Sequence, residues 1–170
     1  HGIDVRGPAV DIDDIRDAFP PPYGTPLISH RSASLSTLAL RLMKASQNLY
    51  AETFLKTLGA GASGRTTAAG RSVALAALQA WGVGPDGLIL RDGSGLSRYD
   101  YVTPEALVTI LTHIDQQSSL KGPFEESLPI AGRDGSLRNR MKSTAAEGNA
   151  RAKTGSMSNN SRAIPGYWLP

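Results

Sequence analysis

The 170-residue chain reads as a mixed α/β (α+β) protein of helices and antiparallel strands, on three observations. Leu35, Leu38, Leu42, Leu49, Phe54 and Leu58 recur near the 3.6-residue helical period. Thr103-Pro104-Glu105 carries the marks of a helix start: a capping hydroxyl, a proline at the first helical position and an early acid. Toward the C-terminus, Ala150 to Ser156 and Arg162 to Trp168 flank the polar stretch Ser158 to Ser161, which suits two strands joined as a hairpin.

Taken in order, His1 to Gly7 alternates polar and apolar residues before a glycine and suits a short strand. Phe19 to Pro26 is an extended connector, because successive prolines remove donors and fix the backbone. Ser34 is a fitting N-cap for the helical pattern that follows. From Lys44 to Asn48 the pattern admits two readings: one uninterrupted helix with its polar residues in water, or helices over Leu35 to Lys44 and Asn48 to Leu58 with Ser46 in the turn between them. Gly59 to Gly64 fits the G-x-G-x-x-G spacing, but a helix precedes it where a nucleotide loop needs a strand, so it reads as a C-capping linker. Helix resumes at Thr66 or Thr67 and runs to Trp81, with Val73, Leu75, Ala76, Leu78 and Trp81 available for packing. Leu88-Ile89-Leu90, between glycines, suits a buried strand. The helix opened by Thr103 presents Leu107, Ile110, Leu111 and Ile114. Pro165 interrupts the last strand and calls for an edge position or a bulge.

Composition narrows the function classes. A hydrophobic content of 40% fits a globular domain, while 18 glycines and 11 prolines imply many loops. The net charge of +3 comes from scattered basic residues, so no patch points to nucleic acid or membrane, although a mildly basic site would suit an anionic substrate. No apolar run is long enough to span a bilayer as a helix. The absence of cysteine removes disulfides and thiol catalysis. His1, His30 and His113 lie far apart without acidic partners at ligand spacing, so no metal is expected, and each reads as a surface or terminal residue.

Two short motifs carry chemistry. Lys153-Thr154-Gly155-Ser156 puts a cation and hydroxyls on a strand, where they can hold a substrate carboxylate while strand amides stabilise an oxyanion. About a hundred residues earlier, Ser46-Gln47-Asn48 offers a hydroxyl and an amide able to bridge toward a leaving group. They match K-T-G and S-x-N, two of the three signatures that penicillin-binding proteins and class A β-lactamases share. The third, S-x-x-K, occurs only as Ser118-Ser119-Leu120-Lys121, where no apolar helix follows to bury the lysine. It reads as a solvated helix terminus. An α/β-hydrolase is excluded, since no G-x-S-x-G occurs.

Three further segments sharpen the match: Asp92-Gly93-Ser94-Gly95-Leu96-Ser97-Arg98 followed by Val102-Thr103-Pro104, Leu128 to Leu137, and Gly166-Tyr167-Trp168. Together with the two motifs they resemble the D-alanyl-D-alanine carboxypeptidase/endopeptidases of the peptidase S13 family, the class C low-molecular-mass penicillin-binding proteins. The resemblance runs through almost the whole chain in the family's order. It implies part of a serine β-lactamase/DD-peptidase-like transpeptidase domain over 27–170, a helical layer packed on an antiparallel sheet, with 1–26 as the end of an inserted domain and its connector. It also places Ser46 in the interhelical turn.

By resemblance, Ser46 relays protons toward the leaving D-alanine, Asn48 holds the substrate amide and Lys153 sets the electrostatics. Thr154 binds the terminal carboxylate beside Gly155 and Ser156. Arg98 and Met157 contact the peptide side chain, although a structural ion pair is as good an account of Arg98, and Asp92 with its glycines shapes a turn nearby. The implied partners are a peptidoglycan stem peptide ending in D-Ala-D-Ala and β-lactam antibiotics, without cofactor, metal or nucleic acid, in a periplasmic or otherwise extracytoplasmic location. The nucleophile is expected outside this chain, which would then be an internal fragment, inactive alone. The competing expectation is a non-catalytic binding or scaffold domain that keeps the fold.

Overall fold

The computed structural model describes residues 7–9, 28–61, 64–156, 162–163 and 166–168. The strand expected over residues 1–7, the connector at 19–26, Met157, the turn at 158–161 and Pro165 lie outside these residues, apart from Gly7. His1–Ser32 and Ala33–Pro170 form two compact units, and all the helices and strands of the described residues belong to the second.

Helix α1 (Leu35–Ala45) starts where its sequence predicts, with Ser34 Oγ accepting the Thr37 N–H at 3.3 Å. It stops at Ser46, whose backbone is left-handed (φ 55, ψ 55), and α2 (Asn48–Leu58) follows after Gln47. The uninterrupted helix is thereby excluded. Helix α3 (Thr67–Ala80), capped by Thr66, packs against α2. The packing residues expected along α3 are only half-buried or, for Ala76, exposed; the buried positions are Ala69 and Gly70 in the first turn. That is where the α2 and α3 backbones come closest. A Cβ on Gly70 would land on the Leu55 carbonyl, and one on Gly59 would lie 2.7 Å from the Ala69 methyl. Gly59, the first residue of the linker, therefore serves close approach and ends α2 with ordinary right-handed geometry.

Strand β1 (Leu88–Ile89) pairs antiparallel with β2 (Tyr101–Val102). The buried strand expected here is instead a two-residue ribbon with Ile89 44% exposed, because among the described residues one short strand pairs with it. Thr103 caps α4 (Pro104–Gln116), which buries Ala106 and Ile114 and leaves the rest of its predicted face half-buried. The Trp81 ring stacks on His113 at 4.4 Å, both half-buried, so this histidine is a packing residue. Gln117 breaks the chain into α5 (Ser118–Ser127), so Ser118 opens a separate helix and does not close α4.

Strand β3 (Ala150–Ala152) pairs with β6 (Gly166–Trp168), and β4 (Gly155–Ser156) with β5 (Arg162–Ala163), in one shared antiparallel register. The predicted hairpin is present, split at Lys153 and Thr154. Its other edge is closed by residues 129–131, where Ala131 N–H donates to Ala150 O and Ala152 N–H to Pro129 O. Ser127, Leu128, Pro129, Ala131 and Leu137 are almost wholly buried against this edge. Helix α1 packs on α5 and on the 3-10 turn Gly135–Leu137, which brings the end of α1 next to the sheet.

Gly70→Ala tests the close approach of α2 and α3. Alanine at an open helix position raises stability by about 1 kcal/mol relative to glycine, whereas here overpacking should lower it by about 3 kcal/mol, read from urea unfolding midpoints.

Candidate active site

The left-handed turn sets the site. A helix rotates roughly 100° per residue, so Ser46 and Asn48 in a continuous helix would face nearly opposite sides. Breaking α1 at Ser46 lets both line a pocket of about 150 Å³ with Leu42, Met43, Gln47, Ala51, Gly93, Ser94 and Lys153. Non-glycine residues in this conformation are held there at a cost of about 1–2 kcal/mol, and the turn is closed by the Ser46 and Gln47 N–H groups donating to Leu42 O.

Lys153 reaches the turn from 107 positions away in sequence. Its Nζ donates to Ser46 Oγ at 2.9 Å and to Thr154 O at 2.6 Å. Burial strips water from the ammonium and pulls the Lys153 pKa below its ordinary value. Thr154 follows Lys153 between β3 and β4, and its Oγ1 donates to Ser136 Oγ at 2.7 Å. Gly155 and Ser156 continue as β4 through backbone pairing with Ala163 and Arg162.

The Asp92 turn borders the pocket. Asp92 Oδ1 accepts the Gly95 N–H at 2.6 Å and Oδ2 the Ser97 N–H at 2.8 Å. Burial pushes the Asp92 carboxyl up, but donors from Gly95, Asp100, Ser97 and Ser94 outweigh it and leave the pKa lowered. Asp100 is raised, chiefly by burial and then by the neighbouring Asp92, while its Oδ1 accepts the Arg91 N–H at 2.6 Å. Glu52 Oε1 takes the N–H groups of Gly93 and Ser94, both at 3.0 Å, and holds this turn against α2. A Cβ on Gly93 would sit 2.5 Å from Ala51 O, so only glycine allows the contact.

Of the residues singled out in the sequence, Ser46, Asn48 and Lys153 converge in one pocket, and Thr154 follows Lys153 in the chain. Arg98 is exposed and forms no ion pair among the described residues, so the structural pairing is not seen. Met157 is outside the described residues. Ser118 is exposed, and Lys121 pairs with Asp115 at 2.7 Å, a contact that raises its pKa and keeps it protonated, the opposite of a catalytic base. Glu52, Ser136 and the Lys44–Asp134 pair were not legible as site residues. Glu52 alone carried a signal, its place four residues after Asn48 on one helix face. Among the described residues no group of three or more His, Asp or Glu could hold a metal ion.

A family model described as the D-Ala-D-Ala carboxypeptidase 3 (S13) family matches residues 6–168. The chain belongs to this family. This S13-family chain is 42% identical over 147 residues to a D-alanyl-D-alanine carboxypeptidase of Actinomadura sp. (strain R39), covering 83% of the chain and 27% of that protein. It is 33% identical over 141 residues to the D-alanyl-D-alanine carboxypeptidase DacB of Haemophilus influenzae, covering 81% of the chain and 29% of that protein. The crystal structure of penicillin binding protein 4 from Haemophilus influenzae superposes with a TM-score of 0.67 at 28% identity, over 78% of the chain and 30% of that structure. A second structure of that protein, complexed with a β-lactam, gives 0.61 at 30% identity, over 71% of the chain and 29% of that structure. The S13-family chain thus spans under a third of the length of these relatives. The expected class of helices with a small antiparallel sheet is the fold observed.

Two measurements probe the turn and the lysine. Ser46→Gly and Ser46→Ala both lose the hydroxyl, but only glycine relaxes the left-handed backbone, so the glycine variant should be more stable than the alanine variant by about 1–2 kcal/mol in chemical denaturation. Lys153 should titrate below 10.5 when followed by NMR at its side chain. Between its folded pKa and 10.5 the unfolded chain binds more protons, so this group makes stability rise with pH across that window and lowers it at neutral pH.

Proposed function

We propose that the full-length protein is a serine-type D-Ala-D-Ala carboxypeptidase or endopeptidase that acts on peptidoglycan stem peptides through an acyl-enzyme, is trapped by β-lactams and works outside the cytoplasm in the bacterial envelope. The single observation that carries this reading is the 2.9 Å contact between Lys153 Nζ and Ser46 Oγ, with Asn48 lining the same pocket. Membership of the S13 family supports it.

In this proposal the nucleophilic serine and its lysine come from an S-x-x-K segment beyond residues 1–170, because Ser118 and Lys121 are exposed and the lysine is tied to Asp115. An ammonium can only donate, so Lys153 occupies a lone pair of Ser46 and leaves the Ser46 hydroxyl proton free for the departing D-alanine nitrogen. Asn48 holds the substrate's amide. The positive charge of Lys153 draws in the terminal carboxylate beside Thr154, and the N–H groups of β4 stabilise the oxyanion as it forms. Arg98 and Met157 are assigned to the far end of the peptide.

The test uses labelled penicillin and a peptide ending in D-Ala-D-Ala. The full-length protein should acylate and hydrolyse, and Lys153→Ala should slow acylation by a factor on the order of a hundred, since it removes charge where a carboxylate and a developing oxyanion sit. The isolated 170-residue chain should form no adduct. A folded full-length protein that neither acylates nor hydrolyses would establish the scaffold reading, and an adduct on Ser118 would overturn the assignment of the nucleophile.

A further inference from the structure

The hydroxyl of Ser136 has no part in the scheme above, yet it is held where it meets the Lys-Thr-Gly segment. It belongs to the 3-10 turn Gly135–Leu137, and both of its neighbours are fixed. Leu137 is fully buried, with its carbonyl accepting the Gly132 N–H at 3.1 Å. Gly135 is left-handed (φ +54), and a Cβ there would lie 2.8 Å from the Lys44 carbonyl. One residue earlier, Asp134 accepts the Ile130 N–H at 2.8 Å through Oδ1 and Lys44 Nζ at 2.7 Å through Oδ2. Lys44 also donates to Leu128 O at 2.6 Å, with its side chain only 18% exposed. The turn is thus bolted to the last residues of α1, two positions before Ser46, while the Ser136 side chain itself stays exposed.

We propose, resting on the peptidase reading, that Ser136 is a specificity residue for the substrate's terminal carboxylate and that it acts with Thr154 as one hydroxyl pair. Each hydroxyl has a single proton. Thr154 gives its proton to Ser136 at 2.7 Å, so the proton left facing solvent is that of Ser136. Accepting from Thr154 polarises the Ser136 O–H and makes it the stronger donor to an anion. The pair therefore presents one oriented donor beside β4, and hydrogen bonds to a charged partner are the stronger kind.

The experiment compares two substrates of the full-length enzyme, a peptide ending in D-Ala-D-Ala and the same peptide ending in D-alaninamide, which lacks the charge. Ser136→Ala should lower the ratio of kcat/KM for the acid over the amide about tenfold or more, with the loss in KM and kcat nearly unchanged. Ser136→Thr should restore the ratio. Ser136→Asp, which sets a like charge against the carboxylate, should depress the acid further and spare the amide, and it carries the comparison if the alanine variant fails to fold. Equal losses on both substrates, or an unchanged ratio in an enzyme that still acylates with penicillin, would overturn the Ser136 assignment alone. A wild-type protein that handles neither peptide nor penicillin would overturn the peptidase reading and this assignment with it.

Discussion

The hydrogen bond between Lys153 and Ser46 depends on a helix that ends early. Had α1 continued through Gln47 into α2, Ser46 and Asn48 would diverge around the helix and only one could face Lys153. The left-handed backbone at Ser46 converts a polar stretch of sequence into a corner where a hydroxyl and an amide share a pocket with an ammonium. A strained residue type in that conformation persists only when its surroundings over-determine it. Here they do, since α1 is closed by two N–H groups on Leu42 O below the corner and is tied to the sheet side by Lys44.

Three side-chain ties convert the corner into a fixed site. Lys44 fastens the end of α1 to the 128–137 segment, Glu52 fastens α2 to the Asp92 turn, and Thr154 meets Ser136 across the edge of the sheet. Glycine stands where two of these segments press on a helix backbone, Gly93 against Ala51 and Gly135 against the Lys44 carbonyl. A partly buried ion pair such as Lys44–Asp134 adds little net stability once desolvation is counted. Its value lies in geometry, because an unpaired Lys44 ammonium in that position would be costly and the pairing admits a single docking of turn against helix.

Much of the local structure was legible. Ser34, Thr66 and Thr103 cap the helices that their positions announce, and α2 ends at Leu58 as the leucine spacing requires. The hairpin partners were visible in the two strand-like runs, although not its split at Lys153 and Thr154. Burial was less legible. Leu88 to Leu90 looks like a core strand, yet with one two-residue neighbour it stays partly in water. The packing weight expected along α3 falls instead on Ala69 and Gly70, since close contact of two helix backbones rewards small residues over large ones.

The same division holds for the site. The match of two short motifs to signatures of the S13 family marked a serine, an asparagine and a Lys-Thr-Gly segment as the chemical candidates. Whether residues 107 positions apart could touch, that Thr154 would meet Ser136, and that Glu52, Lys44 and Asp134 would tie the surrounding segments were decided only by the tertiary structure. Local sequence encodes dihedral preference and periodicity over a few residues, whereas a hydrogen bond between distant segments exists only once packing has set the distance between their backbones.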